Sequence, residues 1–251
     1  MHNHRPYPPP ATPPLMNMRW NTLLFAHWRV DAAALRPLIP PALSLDTFDG
    51  SAWIAIVPFT MSHTHPVLAP VNVPRVSDFV ELNVRTYVTR DGKPGVWFFS
   101  LDAASRFAVR VARRLFFLPY MDAEMECEFM PTPNPSRQTG GEISYTSRRT
   151  HKGEPPAAFE ATYGPCGPAW SAQPGSLEYF LTARYCLYAG DAQGHVYRGE
   201  VDHADWPLQP AQCDIRINTM TAPISLHLSP TPDHLLYVRQ LDVVAWALQK
   251  C

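Results

Sequence analysis

Three groups of side chains in this sequence have types and spacings that could do chemistry. Glu81 sits in "DFVELNVRTYV", where Val80, Leu82 and Val84 alternate with Glu81, Asn83, Arg85 and Tyr87. Strand geometry sends these two sets to opposite faces, which carries an acid into mid-strand among apolar and aromatic segments. A carboxylate so placed either pairs across the strand with Arg85 or another arginine, or has its pKa driven up by desolvation. The second group lies in "VARRLFFLPYMDAEM", residues 111 to 125, where a basic helical segment runs through Pro119 and Tyr120 into a stretch with regularly spaced acids. Turned inward, Arg113 or Arg114 would hold a carboxylate with the planar fork that arginine offers; otherwise they form a solvated helix face. The third is "SHTHP", which sets His63 and His65 on one side of an extended segment. A further ligand from His203 or Asp205 in "VDHADWP" is tied to them by nothing in the sequence, so polar loop histidines and no metal are expected.

Other chemistries lack their sequence marks. There is no G-x-S-x-G, no Gly-rich phosphate loop, no H-E-x-x-H and no dinucleotide fingerprint, so no cofactor is expected. A net charge of −1 supplies no field to gather nucleic acid or an anionic membrane surface. The lysines are Lys93, Lys152 and Lys250, and arginine cannot serve as an amine nucleophile.

The elements that must position these groups are mostly strands. Runs at "NTLLFAHWRV", 52–59, 78–88 and "VWFFSL", the last bringing Trp97 as a candidate ligand contact, read as strands. So do "AEMECEF", "EISYTSRR", "AAFEATYG" and "HLLYVRQLDVVAWAL", while "RYCLYAGDAQGHVYRGEV" reads as a hairpin. Helices are predicted from Asp31 to Leu38, over "SRFAVRVARRLF" with Phe107, Val111 and Leu115 as its packed stripe, and over "SLEYFLTARY" from a Ser176 cap. Residues 131–141, "PTPNPSRQTGG", must be a loop. Many short strands and 28 prolines favour a mainly antiparallel β architecture over a parallel α/β one.

With 251 residues, 46% of them apolar, the chain fits one domain over 17–251. The opening "MHNHRPYPPPATPP" cannot form a helix or central strand, and residues 1–16 are expected to be an extended, disordered tail. The odd, scattered cysteines, and the lack of a signal segment or an apolar run of about 18 residues, point to a cytoplasmic protein. Self-association as a homo-oligomer stays open.

Patches in the first half resemble acetoacetate decarboxylase. "RVDAAALRPLIPPALSLD" is similar to that family's early signature, "DFVELNV" to the segment holding its pocket glutamate, and "VARRLFFLPY" to its run ending in Pro-Lys. Across 17–250, "SLEYFLTARYCLY", "YRGEVDHADWPLQPA", "NTM" and "QLDVVAW" resemble the YqjF-like branch of the same superfamily. The resemblance implies a closed, cone-like antiparallel β-barrel with a buried pocket. It carries the pocket glutamate onto Glu81 and the family arginine onto Arg113. The nucleophilic lysine, however, falls on Tyr120, its lysine neighbour on Met121, and an arginine ahead of the first strand on Asn21.

A phenol cannot form the imine that a lysine of depressed pKa makes with a β-keto acid. Three readings follow. In the first, Tyr120 hydrogen-bonds a carbonyl or carboxylate of a small-molecule ligand, with Arg113, Asn21 and Trp97 as further contacts. In the second, Tyr120 and Glu81 act as acid and base on a keto or enol substrate. In the third, the pocket is filled and the protein is structural or regulatory.

Overall fold

The computed structural model describes residues 4–69, 71, 73, 77–130 and 141–251. Apart from Gly141, the loop expected at 131–141 lies outside them. The strands are β1 (Met16–Val30), β2 (Ser44–Leu45), β3 (Ala52–Pro66), β4 (Phe79–Arg90), β5 (Lys93–Ala103), β6 (Tyr120–Met130), β7 (Glu142–Arg149) and β8 (Ala158–Pro165). They continue with β9 (Cys186–Gly190), β10 (Val196–His203), β11 (Gln209–Asn218), β12 (His234–Ala245) and β13 (Gln249–Lys250). Among the described residues three α-helices, α1 (Ala32–Leu35), α2 (Arg106–Phe116) and α3 (Leu177–Thr182), interrupt them. Each starts on the side chain the sequence offers: Asp31, Ser105 and Ser176 accept from the backbone N–H of Ala33, Ala108 and Tyr179. α3 ends at Thr182, short of the run read as helical, because Cys186 already belongs to the sheet.

All the strands join one sheet that closes on itself. A ring of nine runs β5, β6, β7, β8, β11, β12, β1, β3, β4 and back to β5. β10 also pairs with β12 and β9 with β5, so β5, β4, β3, β1, β12, β10 and β9 form a second ring of seven. Pairing is antiparallel except that β5 runs parallel to both β6 and β9. The sheet is thus mainly antiparallel, as expected, and the antiparallel barrel implied by the resemblance is modified at β5: a helical crossover, α2, carries the chain from β5 to β6, and such connections make parallel neighbours. β11 was not singled out in the sequence. Pro210 and its glutamines are poor strand formers, and its place is set by pairing with β8 and β12.

The shared strands have an interior on both faces. Leu24, Ala26, Trp28, Ile54, Ile56, Leu82 and Val84 pack with Tyr145, Phe159 and Tyr163 as the main core. Their alternates Leu23, Phe25, Val57, Phe59 and Glu81 point to the other side. Long strands bend, and irregularities in three of them re-aim side chains as β-bulges do. In β1 the cavity-facing set changes from Met16, Met18 and Trp20 to Leu23 and Phe25 across Thr22, which sits at φ 53°. In β3 it changes from Phe59 and Met61 to Thr64 across His63 at φ 55°. In β5 the register shifts so that Phe98 and Leu101 face the same way.

The close approach of β9 to β5 depends on Gly95. A Cβ there would meet the Cys186 carbonyl oxygen and sulfur, both at 2.6 Å, and the Tyr188 ring at 2.8 Å. Gly95→Ala is expected to lower stability by about 1–3 kcal/mol, read as a reduced denaturant midpoint at unchanged slope.

Residues 4–15, which composition marks as a free tail, form no helix or strand but lie against the body. Arg5 is buried and pairs with Glu200 at 2.6 Å and Asp202 at 3.2 Å. The Trp246 indole donates to the Thr12 carbonyl at 2.6 Å, and the Leu15 N–H to Ala245 at 2.7 Å. Proline content excludes regular structure there but not docking, and one arginine meeting two carboxylates supplies the tie. Among the described residues no helix is long and apolar enough to cross a membrane.

Candidate functional site

Inside the ring of seven lies a cavity of about 530 Å³, and each of the seven strands contributes to its wall. The lining is almost entirely apolar, with Phe25, Phe59, Phe79, Phe98 and Trp206 among it. The polar exceptions on β4 are Glu81, Asn83 and Arg85, the face the alternation of that strand marks as its polar one. α2 closes one side through Phe107, Val111 and Leu115. These three were expected to be its packed stripe; instead Phe107 and Leu115 are exposed while lining the cavity, and Val109 is the fully buried residue. A helix lying over a void leaves its apolar stripe only partly covered.

Glu81 and Tyr120 meet there. The Tyr120 hydroxyl donates to Glu81 Oε2 at 2.9 Å, and both residues are buried, at 2% and 8% exposure. Strand register explains the meeting: Glu81 pairs with Ala103 on β5, whose neighbour Leu101 pairs with Tyr120 on β6. On the other face, the Tyr145 hydroxyl donates to the Glu81 carbonyl at 2.6 Å. Burial pushes the Glu81 carboxyl up to about 8; nearby Asp102 raises it further, while the Tyr120 hydrogen bond opposes the shift. Burial, together with the Glu81 charge, holds the Tyr120 phenol well above its ordinary range. At neutral pH the pair is therefore mostly a neutral acid and a neutral phenol. The acid retains its own O–H to donate.

Asp102, behind this pair, is fully buried and held by Arg149 through two bonds of 2.7 and 2.9 Å. Arg149 also donates to Ser100 Oγ at 2.9 Å.

Arg113 does reach this region, but through the backbone: its Nη1 donates to the Tyr120 carbonyl at 2.7 Å and its guanidinium also touches Met121 Sδ at 3.6 Å. With Arg110, which grips Asp122 through bonds of 2.7 and 3.1 Å, it fixes the start of β6. Asn21 and Trp97 are not among the cavity's lining residues. The bulge at Thr22 turns Asn21 toward β3, where its Nδ2 donates to Ser62 Oγ at 3.0 Å, and Arg19 beside it pairs with Asp242 at 2.6 Å. Trp97 packs with Tyr188 and Val196 and lies 3.3 Å from where a Cβ on Gly190 would stand. Asn83, Arg85 and Glu200 complete the polar wall. The first two were legible, since they recur at two and four residues from Glu81 on one strand face; Glu200 carried no such signal.

Of the remaining candidates, His63, His65 and His203 line one shallow cleft with Asp202 and Asp242. Among the described residues no three His, Cys, Asp or Glu side chains converge as a metal set. Asp205 lies instead 3.8 Å from His4. Lys93 Nζ pairs with Glu200 Oε1 at 2.8 Å.

The family of uncharacterized conserved proteins named DUF2071 matches residues 17–242. The uncharacterized protein YqjF of Bacillus subtilis (strain 168) is 42% identical over 236 residues, covering 94% of this chain and 92% of its own. Among solved structures, the enduracididine biosynthesis enzyme MppR in complex with pyruvate superposes with a TM-score of 0.66 at 14% identity, covering 95% of this chain and 91% of that one. An acetoacetate decarboxylase-like enzyme from Sphingomonas wittichii RW1 gives a TM-score of 0.63 at 13% identity and covers 98% of each chain. These neighbours share the fold, and the chain itself belongs to the DUF2071 family.

Proposed function

We propose that the ring of seven strands acts as a closed, cone-like barrel that binds a small carbonyl- or carboxylate-containing molecule without forming a covalent bond. The observation that carries this reading is the buried Glu81–Tyr120 pair in an otherwise apolar cavity. The neutral Glu81 carboxyl, held by the Tyr120 hydroxyl on Oε2, keeps its own O–H to donate to a carbonyl oxygen, and few convergent polar groups in an apolar void are what ligand pockets have in common. That MppR, of like fold, is described with pyruvate bound fits a carbonyl ligand here. Five free cysteines, Cys127, Cys166, Cys186, Cys213 and Cys251, fit a reducing cytoplasmic setting.

A test is native mass spectrometry of the purified protein for a retained ligand, followed by titration with that ligand. Tyr120→Phe is expected to weaken binding about 2- to 12-fold, the loss of one net hydrogen bond. Unchanged affinity in this variant would remove Tyr120 from the site.

A second reading, acid–base turnover of a keto or enol substrate, is favoured by one observation: a Glu81 carboxyl at about 8 is poised near neutrality, where a general acid or base works best. Enzyme-dependent deuterium uptake next to the carbonyl of a bound ketone, lost in Glu81→Gln, would establish it; no uptake would leave binding alone.

A further inference from the structure

Among the described residues, Arg85 is a cation of the cavity with no acidic partner. Arg85 lines it from β4, and its Nε is shielded from solvent with no hydrogen-bond partner. Its Nη2 donates to the Leu181 carbonyl at 3.4 Å, and the guanidinium lies over the rings of Phe25 and Tyr87 at 5.2 and 5.9 Å. The Tyr87 hydroxyl beside it is already joined to His27 Nε2 at 2.9 Å. Among the described residues no carboxylate forms an ion pair with Arg85. Two residues back, Asn83 is 5% exposed, lines the same wall, and has its Oδ1 buried without a donor.

The acids of the cavity do not balance this charge. Glu81 is mostly protonated near neutrality because burial lifts its carboxyl. Glu200 is matched by Arg5 at 2.6 Å, Lys93 at 2.8 Å and Arg198 at 3.3 Å. A half-buried guanidinium whose Nε is shielded and unpartnered, with no anion beside it, leaves part of its desolvation uncompensated. The deficit at Arg85 vanishes if the ligand brings an anion to it, and the Asn83 amide on the same wall can donate its Nδ2 to that group.

We propose that Arg85 and Asn83 form a binding station for the head of an apolar monocarboxylic acid, with its hydrocarbon body against the aromatic wall. The inference rests on the cavity being the ligand site and narrows the ligand to one carrying a single negative charge. A carboxylate suits the guanidinium fork, and the scarcity of other polar groups in the wall rejects a polar body.

The test compares decanoate with its neutral ester, methyl decanoate, by calorimetric titration of the full chain. Wild type is expected to bind decanoate at least about 10-fold more tightly than the ester. Arg85→Leu should weaken decanoate about 10- to 100-fold while changing the ester less than about 3-fold. Arg85→Gln gives a second reading should the leucine variant not fold, and the wild-type comparison needs no variant. Binding of the ester alone, or equal losses for acid and ester, would overturn the proposal while leaving the pocket in place. Binding of neither would overturn it together with the pocket reading.

Discussion

Arg149→Leu is expected to cost about 3–5 kcal/mol of folding stability. The Arg149 and Asp102 side chains are 3% and 0% exposed, and the guanidinium spans both carboxylate oxygens. Removing the cation leaves a carboxylate buried with Ser100 as its polar neighbour, and breaking a buried pair from one side is far more damaging than replacing both partners. Burial already raises the Asp102 carboxyl despite its arginine, which marks how dry this position is. Replacing the pair together, with Asp102→Leu and Arg149→Met, should therefore recover much of the loss. Urea unfolding of the wild type, the single and the double variant measures both effects. A loss below about 1 kcal/mol in the single variant would mean that the pair is hydrated and weakly coupled.

The second large effect is a pH dependence. Glu81 holds its proton up to about 8 in the folded protein, whereas an unfolded glutamate releases it near 4.3. Between these values the folded state binds more protons than the unfolded one, so rising pH destabilises the fold by up to ~1.4 kcal/mol per unit. The whole window is on the order of 5 kcal/mol. Stability from this group is fully present below about 4.3 and gone above about 8. Glu81→Gln keeps an acceptor for the Tyr120 hydroxyl and cannot ionise. Its stability relative to wild type should climb steadily from pH 5 to pH 8 and then level. Parallel curves for the two proteins would show that Glu81 is ionised throughout.

Much of this was legible in the sequence, and β4 shows why. Its strict alternation separates Leu82 and Val84, which join the main core, from Glu81, Asn83 and Arg85, which line the cavity. Periodicity gives the two faces but not their surroundings: an acid on a polar face reads equally as solvated or as enclosed, and only closure of the second ring decides between them. Asn21 and Trp97 were misplaced as pocket contacts for a related reason. In β1 and β5 the alternation changes phase at irregularities, and a change of phase sends a residue to the opposite face. Nothing around Thr22 announced the first of them, since a β-branched residue resists positive φ, whereas histidine, the type at 63, is enriched there. Arg5 was illegible because its partners Glu200 and Asp202 lie nearly two hundred residues away. Proximity of Tyr120 to Glu81, by contrast, followed from the spacing of the resembling patches and is met at 2.9 Å.

The central claim is that the cavity holds a carbonyl or carboxylate compound through Glu81 and Tyr120 without a covalent bond. Intact-mass measurement after incubation with acetoacetate or pyruvate and borohydride addresses it most directly, since borohydride fixes any imine as a stable adduct. The amines on hand are poorly placed for that chemistry: Lys93 is neutralised by Glu200, and Lys250 is exposed on β13 at the end of the chain. An unchanged protein mass, with no carbon dioxide released, is the result predicted. A covalent adduct on any lysine that disappears, along with carbon dioxide release, when that lysine is replaced would contradict the account.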